Sequence, residues 1–497
     1  MDARGPAGGM PRRAFLAAAL GSVAAASLAG CTDGGAPPSP TPSPTPTGAA
    51  TPTPTASPGG VPRPVAFQRS RWSADPFMRG AFSFDSVGAT PDLRRALGEP
   101  VEGRLVIAGE ATSPDAPGTV HGAYAEGLRA ARAIADLADE GDRIAVIGAG
   151  IAGLAAARTL ADEGFEVVVI EAGEHLGGRL RSVEDRDFGA PVELGSPFVS
   201  DGGVMRSVLA DSGVATRPFT PRLGSRTPEG VAVASSDAGW AVIAEAQAWA
   251  ASHSTDTPLS TALVRSGAVP VSDEPGPDAL SERDWFVNAL TTGVEPTTGA
   301  SATRVSAQRF DPALVWHPTD QVTSGWTALI EDLGNGLDIA GSSAVTDIAV
   351  DADGVSLRLD SGESLRTHRL IVTASIGVLR TDTVTFDPPL PLLHQRAIST
   401  IAMGALDLVW LRFDEAFWRS ATDAPGTPPP VSEAPNVLTL VGATPTVAAW
   451  LDLGADPRRP VLVGMLAAEH ARRIAELDDD AALEVVLEAL EPFATVA

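Results

Sequence analysis

Residues 143–179 read RIAVIGAGIAGLAAARTLADEGFEVVVIEAGEHLGGR, and this stretch decides the fold. Ile144 to Ile147 is a short, unbroken apolar run, as a parallel strand buried on both faces requires. Gly148, Gly150 and Gly153 follow at once. The first two permit a sharp turn and close approach of the backbone to a pyrophosphate; the third lets the next helix pack tightly on the strand. Ile151 and Ala152 open that helix, whose N-terminal amides favour an anion by about 0.3–1 kcal/mol. Val167 to Ile170 forms a second strand. Glu171 ends it, placed to accept from a ribose hydroxyl, with Ala172 beside it. A lone GxGxxG is weak in an alanine-rich chain, but here strand, helix and terminal acid lie in register. The pattern is a βαβ dinucleotide site, open at this point to either FAD or NAD.

The chain of 497 residues has room for more than one domain. Acidic residues outnumber basic ones 62 to 36, for a formal charge of −26, a field that repels nucleic acid and weakly favours cationic ligands. There is no lysine, so every basic residue other than histidine is arginine. Cys31 is the only cysteine, which excludes an intrachain disulfide, a multi-cysteine metal site and a cysteinyl flavin; no metal site is expected.

Residues 1–31 read as an export signal. Arg12-Arg13 before Ala14-Phe15-Leu16 resembles a twin-arginine motif, and Leu28-Ala29-Gly30-Cys31 resembles a lipobox, whose cysteine is diacylated. The expected location is therefore outside the cytoplasmic membrane, lipid-anchored at its outer face or secreted, with Cys31 the only membrane attachment. Residues 32–64, rich in Pro, Thr, Ser, Gly and Ala, cannot bury a core and read as a disordered, semi-extended tether.

Beyond the tether, RWSADPFMRGAFSF (71–84) and RLVIAGEATSPDAPGTVHGAYAEGLRAARAI (104–134) resemble the closing segment of the flavin-containing amine oxidases, the superfamily of polyamine oxidases, monoamine oxidases and lysine-specific histone demethylases. In that family the segment comes last; here it precedes the dinucleotide motif. The C-terminal AALEVVLEALEPFATVA resembles the helix that normally leads into it. A circular permutation accounts for both: the usual termini joined through 138–142, and new ends opened near Val65 and Ala497. A helix over Gly122 to Leu137 would run about 24 Å, and the next five residues bridge up to roughly 17 Å. The rival arrangement has 65–137 serving a neighbouring molecule.

The resemblance implies an α/β fold: a Rossmann-like FAD-binding domain of the glutathione-reductase type with a second, α+β substrate domain. The expected division is 65–142 as permuted FAD-binding segment, 143–200 as Rossmann core, 201–317 as first part of the substrate domain, 318–385 as FAD-domain strands and 386–497 as second substrate-domain part.

The same resemblance favours FAD over NAD, bound non-covalently because Ala81 stands where relatives with a covalent flavin have cysteine. Gly178 and Arg179 match the family's GGR, the arginine placed to pair with pyrophosphate; Gly195 and Ser196 match its acidic-LG motif. Val345 would contact adenine through its backbone. Gly109 and Glu110 would meet the ribityl-phosphate region, and Thr119 and Val120 would set a helix N-terminus at flavin N1/O2. Trp72 and Phe82 would wall flavin and substrate. Gly173 departs from the pattern, since relatives often carry a second arginine there. Thr119, where monoamine oxidases have a tyrosine, leans toward the polyamine-oxidase and demethylase branch. Arg380 stands where relatives have a lysine that holds a water near flavin N5. As a charged planar fork it is expected either to hold that water or to clamp a substrate carboxylate. Catalytic roles thus fall on Arg380, Phe82 and Thr119. The implied reaction is hydride removal from a C–H next to an amine nitrogen, with O2 reoxidising the flavin to give H2O2. The alternatives are an L-amino-acid oxidase or desaturase, and a non-catalytic FAD-containing surface protein. The expected partners are a small-molecule amine or amino acid and O2, with no nucleic acid.

Overall fold

The apolar run forms strand β4 (Arg143–Ile147) of a five-stranded parallel sheet that draws on three distant parts of the chain. A computed structural model describes residues 60–199, 203–419, 434–453 and 460–494, all within one compact unit, Pro54–Ala497. The readings of residues 1–59, Cys31 among them, lie outside the described residues. Ahead of β4 the chain gives β1 (Ala66–Arg69), β2 (Phe82–Phe84), helix α1 (Pro91–Leu97), β3 (Leu105–Ile107) and helix α2 (Val120–Ala135). After β4 come helix α3 (Ile151–Asp162) and β5 (Glu166–Ile170).

Across the parallel sheet the order is Asp338–Ala340, β5, β4, Arg369–Val372, β3. Strand β3 sits at the edge, with Leu105, Val106 and Ile107 opposite Leu370, Ile371 and Val372. The early segment therefore completes the same sheet as the glycine motif. Alternation along each strand feeds two cores. Val106, Ile144, Val146, Val167, Val169 and Ile371 face α2 and α3; Leu105, Ile107, Ala145, Val168, Leu370 and Val372 face the opposite side, with Ile348, Val355 and Leu357. Burial on both faces is why the strands read as continuous apolar runs.

Helices α2 and α3 cross closely. A Cβ on Gly127 would lie 2.2 Å from the Ala152 carbonyl oxygen, and one on Gly153 would lie 1.9 Å from that of Gly148. Small residues at these points let two helix N-termini approach one place.

The second large sheet has seven strands, in the order β1, Leu406–Arg412, Val461–Ala467, Ala449–Asp452, Val437–Leu440, Leu223–Arg226, Ala232–Val233. Two expectations change here. Strand β1, read with the FAD-binding segment, pairs antiparallel with Leu406–Arg412 in this other sheet. Of the strands in 318–385, only Asp338–Ala340 and Arg369–Val372 join the parallel sheet. Val345–Asp351, Gly354–Leu359, Ser364–Thr367 and Thr385–Asp387 form a separate four-stranded sheet that covers its outer face. Their half-exposed alternation fits a covering layer better than a central strand. The first part of the substrate domain includes the helix Ala238–Ala251, and the C-terminal helix is Asp479–Glu488.

Candidate active site

One cavity of ≈ 610 Å³ runs from the glycine turn, past the N-terminus of α2, to the seven-stranded sheet. Its walls come from two separate stretches of the chain. Residues 72–123 supply Trp72, Ala81, Phe82, Gly109, Glu110, Thr119 and Val120; residues 147–199 supply Gly148, Gly150, Ile151, Ala152, Glu171, Ala172, Gly178, Arg179, Gly195 and Ser196. Val345 closes the end beside Glu171, flanked by Ser343, Ala344 and Thr346.

The turn is a cradle. Gly148 has φ +97°, and a Cβ on it would stand 2.5 Å from Thr373 Oγ1, which donates to the Ile147 carbonyl at 2.8 Å. Gly150 forms a bridge with Gly177, yet a Cβ there would meet only the Gly177 oxygen, at 3.9 Å. On Gly109 (φ +137°) a Cβ would meet nothing within 4 Å. Gly150 and Gly109 both line the cavity, so side chains there would take up its space. Helix α3 has Gly150 as N-cap and no side-chain cap, leaving its first amides to an anion.

Buried acids organise the walls. Glu171, 5% exposed, accepts from the Ala149 amide at 2.6 Å and the Gly173 amide at 2.7 Å. Glu171 thus fastens the glycine turn, and two of its four lone-pair positions remain for further donors. The departure at Gly173 has a local reason, since a Cβ there would press Glu171 Oε1 at 3.2 Å. Glu110, 4% exposed, accepts from Ser83 Oγ (2.5 Å), the Gly118 amide (2.9 Å) and Arg179 Nη1 (3.0 Å). Burial pushes its pKa up, but Arg179, Ser83 and Arg94 together outweigh it and hold the carboxyl below its ordinary range. Arg179 thus gives Nη1 to both Glu110 and the Ala81 carbonyl (2.9 Å), and the residue lines the cavity.

The catalytic expectations fare differently. Phe82 lines the cavity. Thr119 lines it too, but its hydroxyl serves α2, accepting from the Gly122 amide at 3.0 Å and donating to the Ala116 carbonyl at 2.8 Å. Arg380 is not in the wall. It follows the short helix Ile376–Leu379; Ser375 and Val378 face the cavity, whereas Arg380 is exposed and donates from Nη1 to the Ile401 carbonyl at 2.8 Å. Two residues past Val378, the helical turn has carried it round to the outside. Neither the water-holding nor the carboxylate-clamping role fits that placement. Gly153 also lies outside the wall, as its packing role requires.

At the far end, Leu406, Leu408, Leu451, Met465 and Phe198 make an apolar chamber beside Trp72 and Phe82. None of these five is among the site residues expected from the sequence. Alternation in Leu406–Arg412 was the available signal, but which face met the cavity depended on the sheet's neighbours. Behind this chamber Asp407, 1% exposed, accepts from the Trp72 amide at 2.8 Å and from Ser70 Oγ at 3.0 Å, and burial pushes its pKa up to about 6. Trp72 is fixed a second time by its indole N–H, which donates to the Leu194 carbonyl at 2.9 Å. Among the described residues no group of three or more His, Cys, Asp or Glu side chains could hold a metal.

A Rossmann-like sheet, two helix N-termini on one cavity and an apolar chamber under a second sheet define a dinucleotide-cofactor protein with a separate substrate domain. The chain belongs to the family described as flavin containing amine oxidoreductase, which matches residues 57–135 and 263–495. An NAD(P)-binding Rossmann-like domain matches residues 146–211. Polyamine oxidase 4 of Oryza sativa subsp. japonica is 25% identical over 370 residues, 70% of this chain and 72% of that protein. Lysine-specific histone demethylase 2 of Homo sapiens is 25% identical over 368 residues, 69% of this chain and 42% of that protein. Among solved structures, putrescine oxidase bound to putrescine superposes with a TM-score of 0.54 at 20% identity, covering 72% of this chain and 82% of that one. Cyclohexylamine oxidase from Brevibacterium oxydans gives 0.52 at 18%, covering 70% and 80%. At these identities the two structures speak for the fold.

Proposed function

We propose that the protein is an FAD-dependent oxidase of small-molecule amines, and that the cavity holds FAD along the glycine turn with the amine in the apolar chamber. The observation that carries this is the single cavity walled by both 72–123 and 147–199. When bound, the flavin supplies the two-electron acceptor for the C–H next to nitrogen, and O2 takes the electrons on to H2O2. The chain's own residues bind and orient. The α3 N-terminus and the glycine backbone take the pyrophosphate, Glu171 takes ribose hydroxyls, and the α2 N-terminus at Val120 presents amide dipoles where the flavin ring would gain negative charge. Trp72, Phe82, Leu406 and Leu408 exclude water and favour the neutral amine, the form with a lone pair to support hydride loss. Ala81 offers no nucleophile, so binding is non-covalent. The polyamine oxidases among the relatives support an aliphatic amine as substrate.

The early position of 65–137 is read as a circular permutation, supported by β3 lying in the same sheet as β4. Residues 1–31 are read as a twin-arginine export signal with a lipid on Cys31; Cys31→Ser should move the protein from the membrane to the soluble fraction.

The test of the activity is spectroscopic. An amine panel should bleach the flavin band of the purified protein without oxygen, and air should restore it with release of H2O2. A band unmoved by every amine would overturn the proposal.

A further inference from the structure

Outside the cavity wall, three arginine-bearing elements join around one short ribbon, on a chain that is otherwise strongly acidic. The ribbon of β2 with Ala402–Gly404 sets their framework, with Phe84 opposite Ala402. Arg304 lies over the Phe84 ring, its Cζ 5.4 Å from the centroid. Arg380 donates to the carbonyl of Ile401, the residue before Ala402, so both heads sit at one end of the ribbon. Arg472 arrives from a third element. Ala405 donates to the Gly299 carbonyl at 2.8 Å, five residues before Arg304, and accepts from the Ala468 amide at 2.9 Å, four residues before Arg472. Ala405 thus ties the arginine-bearing loop to the helix Ala468–Ala475.

We infer that Arg304, Arg380 and Arg472 form a binding site for a phosphate group, separate from the amine cavity. The charge balance points to a dianion. Against three guanidinium groups stands Glu469, 82% exposed at its side chain and 3.6 Å from Arg472 Nη1, which leaves two positive charges unmatched among the described residues. Arg304 makes no side-chain hydrogen bond to a described residue; its stacking on Phe84 leaves the N–H edge free to donate. Planar forks from several directions suit the oxygens of a tetrahedral anion, which accepts paired bonds from each. The crowding is felt at Arg304: burial first, then the like charges of Arg472 and Arg380, lower its pKa against the opposing pull of Glu469. A bound dianion would relieve that repulsion.

The phosphate can belong to free inorganic phosphate or to a lipid headgroup. Titration of the FAD-loaded protein with inorganic phosphate at low ionic strength, followed by calorimetry, reads the first source. Sedimentation with phosphatidylcholine vesicles, with or without phosphatidic acid, reads the second. Binding in either arm should weaken at least tenfold in Arg304→Gln and in Arg472→Gln, while Arg304→Lys keeps much of it. Binding confined to the vesicle arm assigns the phosphate to a lipid. Unchanged binding in both variants, or no binding in either arm, overturns the site. If Arg304→Gln fails to fold, Arg472→Gln alone decides, and neither readout needs turnover.

Discussion

Gly150 and Gly153 stand three residues apart and answer to different constraints. Gly150 has φ −72°, a conformation any residue adopts, and a Cβ there meets only one oxygen, at 3.9 Å, on the cavity side. Gly150→Val should therefore fold with the melting temperature of the wild-type apoprotein, yet lose FAD affinity by tenfold or more, read as flavin retained on gel filtration. Gly153→Val should fail earlier, because its Cβ would lie 1.9 Å from a backbone oxygen that cannot yield. A second residue-scale test concerns Glu193, 1% exposed, whose oxygens lie by Ser182 and the Trp326 amide without a hydrogen bond of good geometry. Burial pushes its pKa up to about 7. A carboxyl raised above its unfolded value near 4.3 holds its proton longer in the folded state, so stability falls as pH rises from about 4.3 to 7 and is level above. Glu193→Gln should thus match wild type near pH 4.5 and exceed it at pH 8 by about 1–3 kcal/mol in denaturant melts. A constant offset across pH would remove Glu193 as the source.

Among the elements, the helix Ala468–Ala475 shows how the early segment is fastened to the late one. Arg69 of β1, 9% exposed, donates to the Ile474 carbonyl at 2.9 Å, the Leu477 carbonyl at 2.5 Å and Asp479 Oδ1 at 2.8 Å; Arg71 donates to the Ala475 carbonyl at 2.7 Å. These cations add donors at the carbonyls of the helix C-terminus and complement its dipole. Arg69→Met keeps the packing volume but removes three charge-assisted hydrogen bonds that tie β1 to this helix end, and should destabilise by about 1–3 kcal/mol in urea melts, with flavin content unchanged in what folds. The two elements also mark what sequence could reveal. The β4–α3–β5 unit was legible because each local signal agrees: apolar run, glycine turn, helix, terminal acid. Strand β1 was not, since AFQR carries no periodicity that says which sheet it will join, and its partner Leu406–Arg412 lies more than 300 residues away. Arg380 was misplaced for a related reason. A motif fixes the helix it ends, but the rotation of one residue past that helix is set by the ribbon at Ile401.

For the molecule as a whole, the circular permutation proposed above predicts that the chain can be reopened and rejoined without loss. The loop between α2 and β4 is exposed, and its Asp139 and Asp142 bond mainly to each other, while Asp142 also lies 3.4 Å from Arg369. A break between Glu140 and Gly141 spares that last pair. At the other junction, Arg63 pairs with Glu484 and Arg69 with Asp479, so residues 60–71 lie against the C-terminal helices and a short flexible linker from Ala494 to Gly60 can span the gap. Closing one loop and opening another alters chain entropy by only about 0.6 kcal/mol per doubling of loop length, far less than the burial of β3 and α2 in the sheet core. A rearranged protein beginning at Gly141 and ending at Glu140 should fold, keep stoichiometric FAD, oxidise the same amines and melt within a few degrees of the original. If 65–137 instead served a neighbouring molecule, rearrangement would change the mass seen by light scattering, or leave apoprotein. Retention of flavin in a monomer-sized species of unchanged mass is the outcome that the shared parallel sheet requires.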